Sequence, residues 1–323
     1  MPIKTATAVK KTVRLLSPGH SACAGCGELL AARTAAEALG PNTIIANATG
    51  CSEVTTTQYP MTAWGMPWIH SLFENAPAVA SGILAALDYK IKKSSHPPLA
   101  KRGVKVVAQG GDGATFDIGF GLLSGMWERG DDILYITYDN EAYANTGIQA
   151  SGATPYGADT TTTPVGKCMD DKMAPTCPAG AIGSHQRKKD MIAIALAHGV
   201  NYVAQTTAGF PLDITEKVKK ALTVPGPGYI QIAVPCVPGW RIDPSQTVKI
   251  GKLAAQTGLY PAIEYMNGRL TKAMKVPEPQ IKVEEYLKLQ GRFAHLFKNE
   301  EGKKQIAEIQ RLADENIRKY RLA

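Results

Sequence analysis

Gly110-Gly-Asp-Gly-Ala-Thr-Phe-Asp-Ile-Gly119 stands one residue after Val104-Lys-Val-Val-Ala108 and is followed by Ile133-Leu-Tyr-Ile-Thr-Tyr-Asp-Asn140. The β-branched run at 104–108 predicts a buried strand, 110–113 a turn, 117–128 a helix and 133–138 the next parallel strand. That second strand delivers Asp139 and Asn140 to the carboxyl edge where Asp112 already lies. A metal-bound diphosphate needs a backbone that permits close approach, a helix start with free N–H groups and a divalent cation. Asp112, the Asn140 side chain and a backbone carbonyl near Ala142 would complete an all-oxygen magnesium site with phosphate oxygens and water. Gly-Asp turns are common at strand ends, so the plain alternative is an ordinary α/β crossover. The spacing to Asp139-Asn140 favours the anchor.

The chain has 323 residues, 44% hydrophobic and 20% charged, enough to bury one large α/β domain with an appendage. Apolar runs such as 76–87 are too short to span a bilayer, and the basic N-terminus has no signal-like apolar core. These features predict a cytoplasmic protein with no membrane contact. A net charge of +8 is spread along the chain, with mild concentration at Arg187-Lys188-Lys189 and in the C-terminal third. Solvated faces or acidic partner proteins explain it at least as well as nucleic acid, which we do not expect as a partner.

Six cysteines do not make a secreted disulfide pattern, so metal ligation is the better reading. Cys23-Ala-Gly-Cys26 puts two thiolates within one turn, and Cys51 and Cys236 each stand beside glycine or proline at a predicted strand end. A structural zinc site would more usually pair two Cys-x-x-Cys motifs, whereas an iron-sulfur cubane accepts ligands scattered in this way. Cys168 and Cys177 lie in a Pro- and Gly-rich stretch at 164–183 and read as structural or incidental, with a second metal site or a labile disulfide as the sharper alternative.

Five stretches, in this order, resemble one family: Pro18-Gly-His-Ser-Ala-Cys-Ala-Gly-Cys-Gly-Glu28, Ala48-Thr-Gly-Cys-Ser-Glu-Val54, Gly111-Asp-Gly-Ala-Thr-Phe-Asp-Ile-Gly119, Tyr138-Asp-Asn-Glu-Ala-Tyr-Ala-Asn-Thr-Gly-Ile-Gln149 and Thr154-Pro-Tyr-Gly-Ala-Asp-Thr-Thr-Thr-Thr-Pro-Val-Gly-Lys167. The chain resembles the thiamine diphosphate-binding β subunit of 2-oxoacid:ferredoxin oxidoreductases across residues 15–240, with weaker agreement beyond. The resemblance implies an α/β thiamine diphosphate-binding fold with a mostly parallel sheet flanked by helices, over residues 1–260. A helical C-terminal arm is expected at 261–323, where an amphipathic pattern reads as packing on a partner subunit or as cover for its own domain.

For individual residues, the resemblance implies that Cys23, Cys26, Cys51 and Cys236 hold a 4Fe-4S cluster and that Asp112, Asn140 and the Ala142 carbonyl bind magnesium. Gly111, Gly113, Ala114 and the segment Glu141, Ala142, Tyr143, Ala144 and Asn145 would line the diphosphate. Glu28 falls at a cofactor-contact position, with a helix-opening glutamate as the plain alternative. Asn145 would meet the substrate, against a turn residue capping its own backbone. Trp64, Trp68, His70 and Phe73 would lie near the cofactor cleft, although such a cluster is more often packing, and His20, His185 and His198 show no partner. The implied reaction is coenzyme A-dependent oxidative decarboxylation of a 2-oxo acid, pyruvate by frequency, with electrons passed to ferredoxin. Branched or aromatic 2-oxo acids stay open, as do a non-oxidative thiamine enzyme and a purely electron-transferring subunit. Ala150 departs from the arginine or serine common in the family at this point. An α subunit would supply the glutamate that activates the pyrimidine, and γ and ferredoxin-like δ subunits would complete the assembly, so this chain alone should be inactive.

Overall fold

The computed structural model of the chain describes residues 14–93, 103–166 and 183–323. Within them, β1 (Thr43–Asn47), β2 (Trp68–His70), β3 (Lys105–Gly111), β4 (Leu134–Asp139), β5 (Tyr202–Thr207), β6 (Gly228–Ala233), β7 (Ile263–Met266) and β8 (Arg269–Ala273) form one sheet. Its order is β2-β1-β3-β4-β6-β5-β7-β8. The first six strands in that order run parallel, and β7 and β8 continue the sheet antiparallel. Helices α1 (Gly27–Leu39), α2 (Cys51–Thr56), α3 (Ala76–Lys93), α4 (Phe120–Glu128), α5 (Met191–Ala197), α6 (Pro211–Ala221), α7 (Val237–Trp240), α8 (Thr247–Gln256), α9 (Val283–Leu287) and α10 (Glu300–Tyr320) accompany it. None of the described helices is long and apolar enough to cross a membrane.

Strands β4, β5 and β6 are buried at every residue. Helices cover both faces, so these sequences run on without the polar alternation of a half-exposed strand. Leu134, Ile136 and Tyr138 join Ala31, Ala35, Ile214 and Val218 of α1 and α6 in one core, while Tyr135 points into another with Leu123, Met126 and Trp127 of α4. Successive strand side chains take opposite faces, which is why one short strand feeds two cores. The mostly parallel α/β sheet read from the sequence is the fold observed.

Two local departures have physical causes. The helix expected at 117–128 begins earlier, as a π-helical turn at Gly113–Ile118, and α4 starts only after Gly119. Gly119 N–H donates to the Ala114 carbonyl at 2.9 Å, and the Ala114 and Glu74 carbonyl oxygens occupy the space a side chain at 119 would need. Such widened turns recur at functional sites because they re-aim a few backbone groups without ending the helix. The segment from 261 opens with the β7–β8 hairpin before its helices. Its amphipathic stripe (Ile306, Ile309 and Ala313) packs on Trp240, Ile250, Val283 and Phe293 of its own chain, forming a third core.

Glycine decides how closely α1 approaches the sheet edge. Gly27 N–H donates to the Pro235 carbonyl at 3.2 Å, and a Cβ at 27 would stand 2.8 Å from both Pro235 N and O. Backbone rather than a flexible side chain would have to yield. Gly27→Ala is therefore expected to cost about 1–3 kcal/mol as overpacking. Denaturant unfolding checks this, and an unchanged midpoint contradicts the close-approach account.

Candidate functional site

Four neighbouring strands end at one edge of the sheet, and each hands over a residue singled out in the sequence. After β1 the chain passes Ala48, Thr49 and Gly50 into Cys51 at the start of α2. After β3 comes Asp112, β4 closes on Asp139 and Asn140, and Cys236 caps α7 three residues beyond β6. Cys26 caps α1, whose first residue is bonded to Pro235. The carboxyl edge of a parallel sheet, where helix starts and loop backbones gather, is the usual place for a ligand in such folds.

The polar groups at this edge interlock across long sequence distances. Asp112 is buried, and its carboxylate accepts from Asn140 N at 3.2 Å and from Ser151 Oγ at 2.5 Å. Asn140 Nδ2 donates to Glu28 Oε2 at 3.4 Å, and its Oδ1 accepts from Ala142 N at 3.3 Å. Glu28, also buried, accepts from Ser52 N at 3.0 Å, so one carboxylate joins the residue after Cys51 to Asn140. Burial pushes Glu28 up to about 7, and burial with the neighbouring Asp139 charge holds Asp112 well above the carboxylate range. Neither has a salt-bridge partner among the described residues, although Lys188 is close enough to Asp112 to oppose that rise. Buried carboxylates in this condition favour a proton or an added cation.

The thiols share that field. Cys26 rises to about 12, first through burial and then through the Glu28 charge, and Cys236 rises to about 11, with burial dominant over the Gly239 N–H that its Sγ accepts at 3.4 Å. Cys51 is pushed up as well, by burial, Glu28, Cys236 and Cys26 in that order. Cys23 is exposed and adds its charge to the field at Cys236. Cys51 thus lies within electrostatic reach of Cys26 and Cys236, and Cys236 within reach of Cys23. Among the described residues, no three His, Cys, Asp or Glu side chains close on a single point as a one-ion site would require. Cys168 and Cys177 lie outside the described residues.

The loop after β4 is held from outside. Glu141 has φ +67°, a left-handed conformation rare for a side-chain-bearing residue; its carboxylate is committed to Lys188 and Arg292, and its backbone carbonyl accepts from Thr154 Oγ1 at 2.8 Å. The Tyr143 ring occupies the space a side chain at Gly113 would need, and its hydroxyl donates to Asp117 at 3.0 Å. Phe73 meets that ring edge-on at 6.0 Å. Gly111 has open space beside it apart from the Tyr138 carbonyl at 3.9 Å, and Ala114 is buried. Asn145 is exposed and makes no hydrogen bond among the described residues, so it does not cap its own turn.

His70 stands on β2, with Nε2 at 2.7 Å from Thr49 Oγ1 and Nδ1 at 3.8 Å from Glu53. Its ring stacks on Trp68, and Trp68 on Trp64, in a packed row leading to the Cys51 helix. His198 is engaged with Ser124 Oγ at 2.8 Å. Three groups at the site escaped sequence reasoning: Ser151 on Asp112, Trp240 Nε1 on the Asn140 carbonyl at 2.7 Å, and the pair Lys188 and Arg292. Lys188, read as part of a solvated basic run, lies 2.6 Å from Asp139 and 2.7 Å from Glu141. Only the Arg187-Lys188-Lys189 cluster marked it, and nothing local shows which lysine turns inward.

Glu28 gives a pH signature in the metal-free chain. Its acid form is favoured in the folded state, raised from 4.5 to about 7, so folding carries no penalty below the unfolded value and loses stability as pH climbs through about 7. The full loss is roughly 3 kcal/mol. The melting temperature of the wild type should fall between pH 5 and pH 8 relative to Glu28→Gln, whose side chain does not titrate; parallel profiles would contradict the burial of an ionising group there.

Comparison with known proteins identifies the family. The family model described as thiamine pyrophosphate enzyme, C-terminal TPP binding domain, matches residues 48–232. The chain is 50% identical over 307 residues to pyruvate synthase subunit PorB of Methanosarcina barkeri, covering 95% of this chain and 97% of that protein. It is 43% identical over 286 residues to ketoisovalerate oxidoreductase subunit VorB of Pyrococcus abyssi, covering 87% and 86%. A solved 2-oxoglutarate:ferredoxin oxidoreductase from Magnetococcus marinus, with 2-oxoglutarate, coenzyme A and succinyl-CoA bound, superposes with a TM-score of 0.54 at 21% identity, covering 88% of this chain and 90% of that one, and supports the fold. On the family match and these identities, the chain belongs to the thiamine diphosphate-binding β subunits of the 2-oxoacid:ferredoxin oxidoreductases.

Proposed function

We propose that the chain is the β subunit of a pyruvate synthase that holds thiamine diphosphate, magnesium and a 4Fe-4S cluster, and that its complex converts pyruvate and coenzyme A to acetyl-CoA and carbon dioxide, passing electrons to ferredoxin. The observation that carries this reading is the pair of buried, unneutralised carboxylates, Asp112 and Glu28, on either side of Asn140. Asp112, Asn140 and the Ala142 carbonyl offer hard oxygens, and burial of Asp112 without a salt-bridge partner fits a cation carried in by a diphosphate. The thiols fit a cluster: each iron of a cubane takes one thiolate, so its ligands need not meet at a point, and proximity to iron would reverse the high proton affinity that burial gives Cys26, Cys51 and Cys236. The names of the relatives favour pyruvate, and the ketoisovalerate relative makes a branched 2-oxo acid the second reading.

The residues divide the work. Thiamine diphosphate, when bound, supplies the electron sink for decarboxylation, and the cluster supplies one-electron acceptance. Asp112 and Asn140 fix the anchored end of the cofactor, with Ser151 holding the Asp112 carboxylate. Gly111 and Gly113 keep the backbone close, and Tyr143 packs across Gly113 to exclude water from that side. Exposed Asn145 is free to donate to a substrate oxygen. Partner subunits complete the pocket, an α subunit with the pyrimidine-activating glutamate and γ and ferredoxin-like δ subunits for coenzyme A and electron exit, in the cytoplasm.

Anaerobic viologen reduction by the native complex tests this across pyruvate, 2-oxoglutarate, branched and aromatic 2-oxo acids with coenzyme A. Preference for pyruvate is expected; no reduction with any substrate, iron and thiamine being present, rejects the oxidoreductase reading. Asp112→Ala should lower the rate by about a hundredfold or more with cluster iron retained. Cys51→Ser should lose cluster iron while Mg2+-dependent thiamine diphosphate uptake persists, and loss of both cofactors in either variant would contradict separate ligand sets.

A further inference from the structure

Asp139, Asn140 and Glu141 are consecutive, and each is gripped by groups distant in sequence. Lys188 Nζ lies 2.6 Å from Asp139 Oδ2 and 2.7 Å from Glu141 Oε1. Arg292 lies 2.6 Å from the other oxygen of Glu141 and stacks on the Trp240 ring at 3.9 Å. Trp240 in turn donates to the Asn140 carbonyl at 2.7 Å. Gln231 and Tyr260 complete the hold on Asp139 Oδ2, whereas Asp139 Oδ1 is buried with no hydrogen-bond partner. Two cations therefore face two carboxylates, and the residue between those carboxylates is held through a ring that one cation covers. Glu141 keeps its left-handed backbone at +67° within this grip. A strained conformation persists only where its surroundings over-determine it.

We propose that Lys188 and Arg292 are positioning residues for the cofactor anchor, a role that rests on the magnesium-diphosphate reading of Asp112 and Asn140. Pairing Asp139 and Glu141 with the two cations leaves Asp112 and Glu28, among the described residues, as the carboxylates without an ion-pair partner at the anchor, so an arriving cation keeps charge to offer the diphosphate. Pinning residues 139–141 aims the Asn140 side chain before the cofactor arrives, which lowers the ordering cost of binding. Removing Lys188 acts on two terms of opposite sign. It adds negative charge that attracts a bare cation, and it loosens the turn and repels the diphosphate. Binding of the cation alone and of the cation with diphosphate therefore separate the two, which a generally damaged structure would not do.

The test measures Mg2+-dependent retention of thiamine diphosphate by the cofactor-stripped complex, with cluster absorbance as an internal control. In Lys188→Met the Mg2+ concentration for half-maximal retention should rise about tenfold or more, as for loss of an outer-shell partner. Affinity for Mn2+ without thiamine diphosphate should be unchanged or tighter. Lys188→Arg keeps a charge able to bridge both carboxylates, beside a cavity of about 480 Å³ that leaves room for it, and should return the midpoint to within about threefold of wild type. Arg292→Lys preserves charge but loses the planar stack on Trp240, so it probes the aiming alone if Lys188→Met does not assemble; a several-fold rise is expected. Wild-type midpoints in both Lys188→Met and Arg292→Lys, or in Arg292→Lys when it alone assembles, overturn the proposal and leave the cofactor reading intact. Failure of the wild-type complex to retain thiamine diphosphate in a Mg2+-dependent way overturns the cofactor reading itself.

Discussion

A single buried carboxylate spans the two halves of the site. Glu28 accepts from Ser52 N, beside Cys51, and from the Asn140 side chain, beside Asp139, while its own helix is capped by Cys26. The thiol-bearing helix starts and the carboxylate-bearing strand ends are therefore parts of one wall. The contact depends on α1 lying tight against Pro235, which a glycine at 27 permits, and on parallel strands β1, β3, β4 and β6 ending at the same edge. Sheet topology supplies the convergence, and Glu28 ties it together.

Charge is distributed unevenly along that wall. Lys188 and Arg292 match Asp139 and Glu141; burial would push Glu141 up, yet the two cations hold it below the usual range. Asp112, Glu28, Cys26, Cys51 and Cys236 have no ion-pair partner among the described residues, and burial raises their proton affinity. A buried ion pair costs desolvation that its attraction only partly returns, so the pairs of Lys188 and Arg292 are better explained by the fixed geometry they give residues 139–141 than by net stability. The unmatched groups are where added positive charge is most favourable.

Much of this was legible from local pattern. The strand at 104–108, the turn at Asp112 and the strand ending at Asp139 follow from β-branched runs and glycine punctuation, and the structure extends or shifts those elements by a few residues. The π-helical turn at Gly113–Ile118 was not legible, because the Glu74 carbonyl that leaves no room for a side chain at 119 comes from another part of the chain. Lys188 and Arg292 were missed for the same reason. They reach Glu141 across 47 and 151 residues, and periodicity carries no information at that range. The β7–β8 hairpin was masked by the helical pattern that follows it.

Replacing Mg2+ by paramagnetic Mn2+ in the reduced complex tests the shared wall most directly. The signal to follow is that of the cluster carried by this chain, identified by its loss in Cys51→Ser. If Glu28 separates the metal-diphosphate anchor from the cluster by one side chain, Mn2+ bound with thiamine diphosphate should markedly speed the electron spin relaxation of that cluster. Identical relaxation with Mn2+ and Mg2+, both cofactors being present, would place the two sites apart and contradict the account.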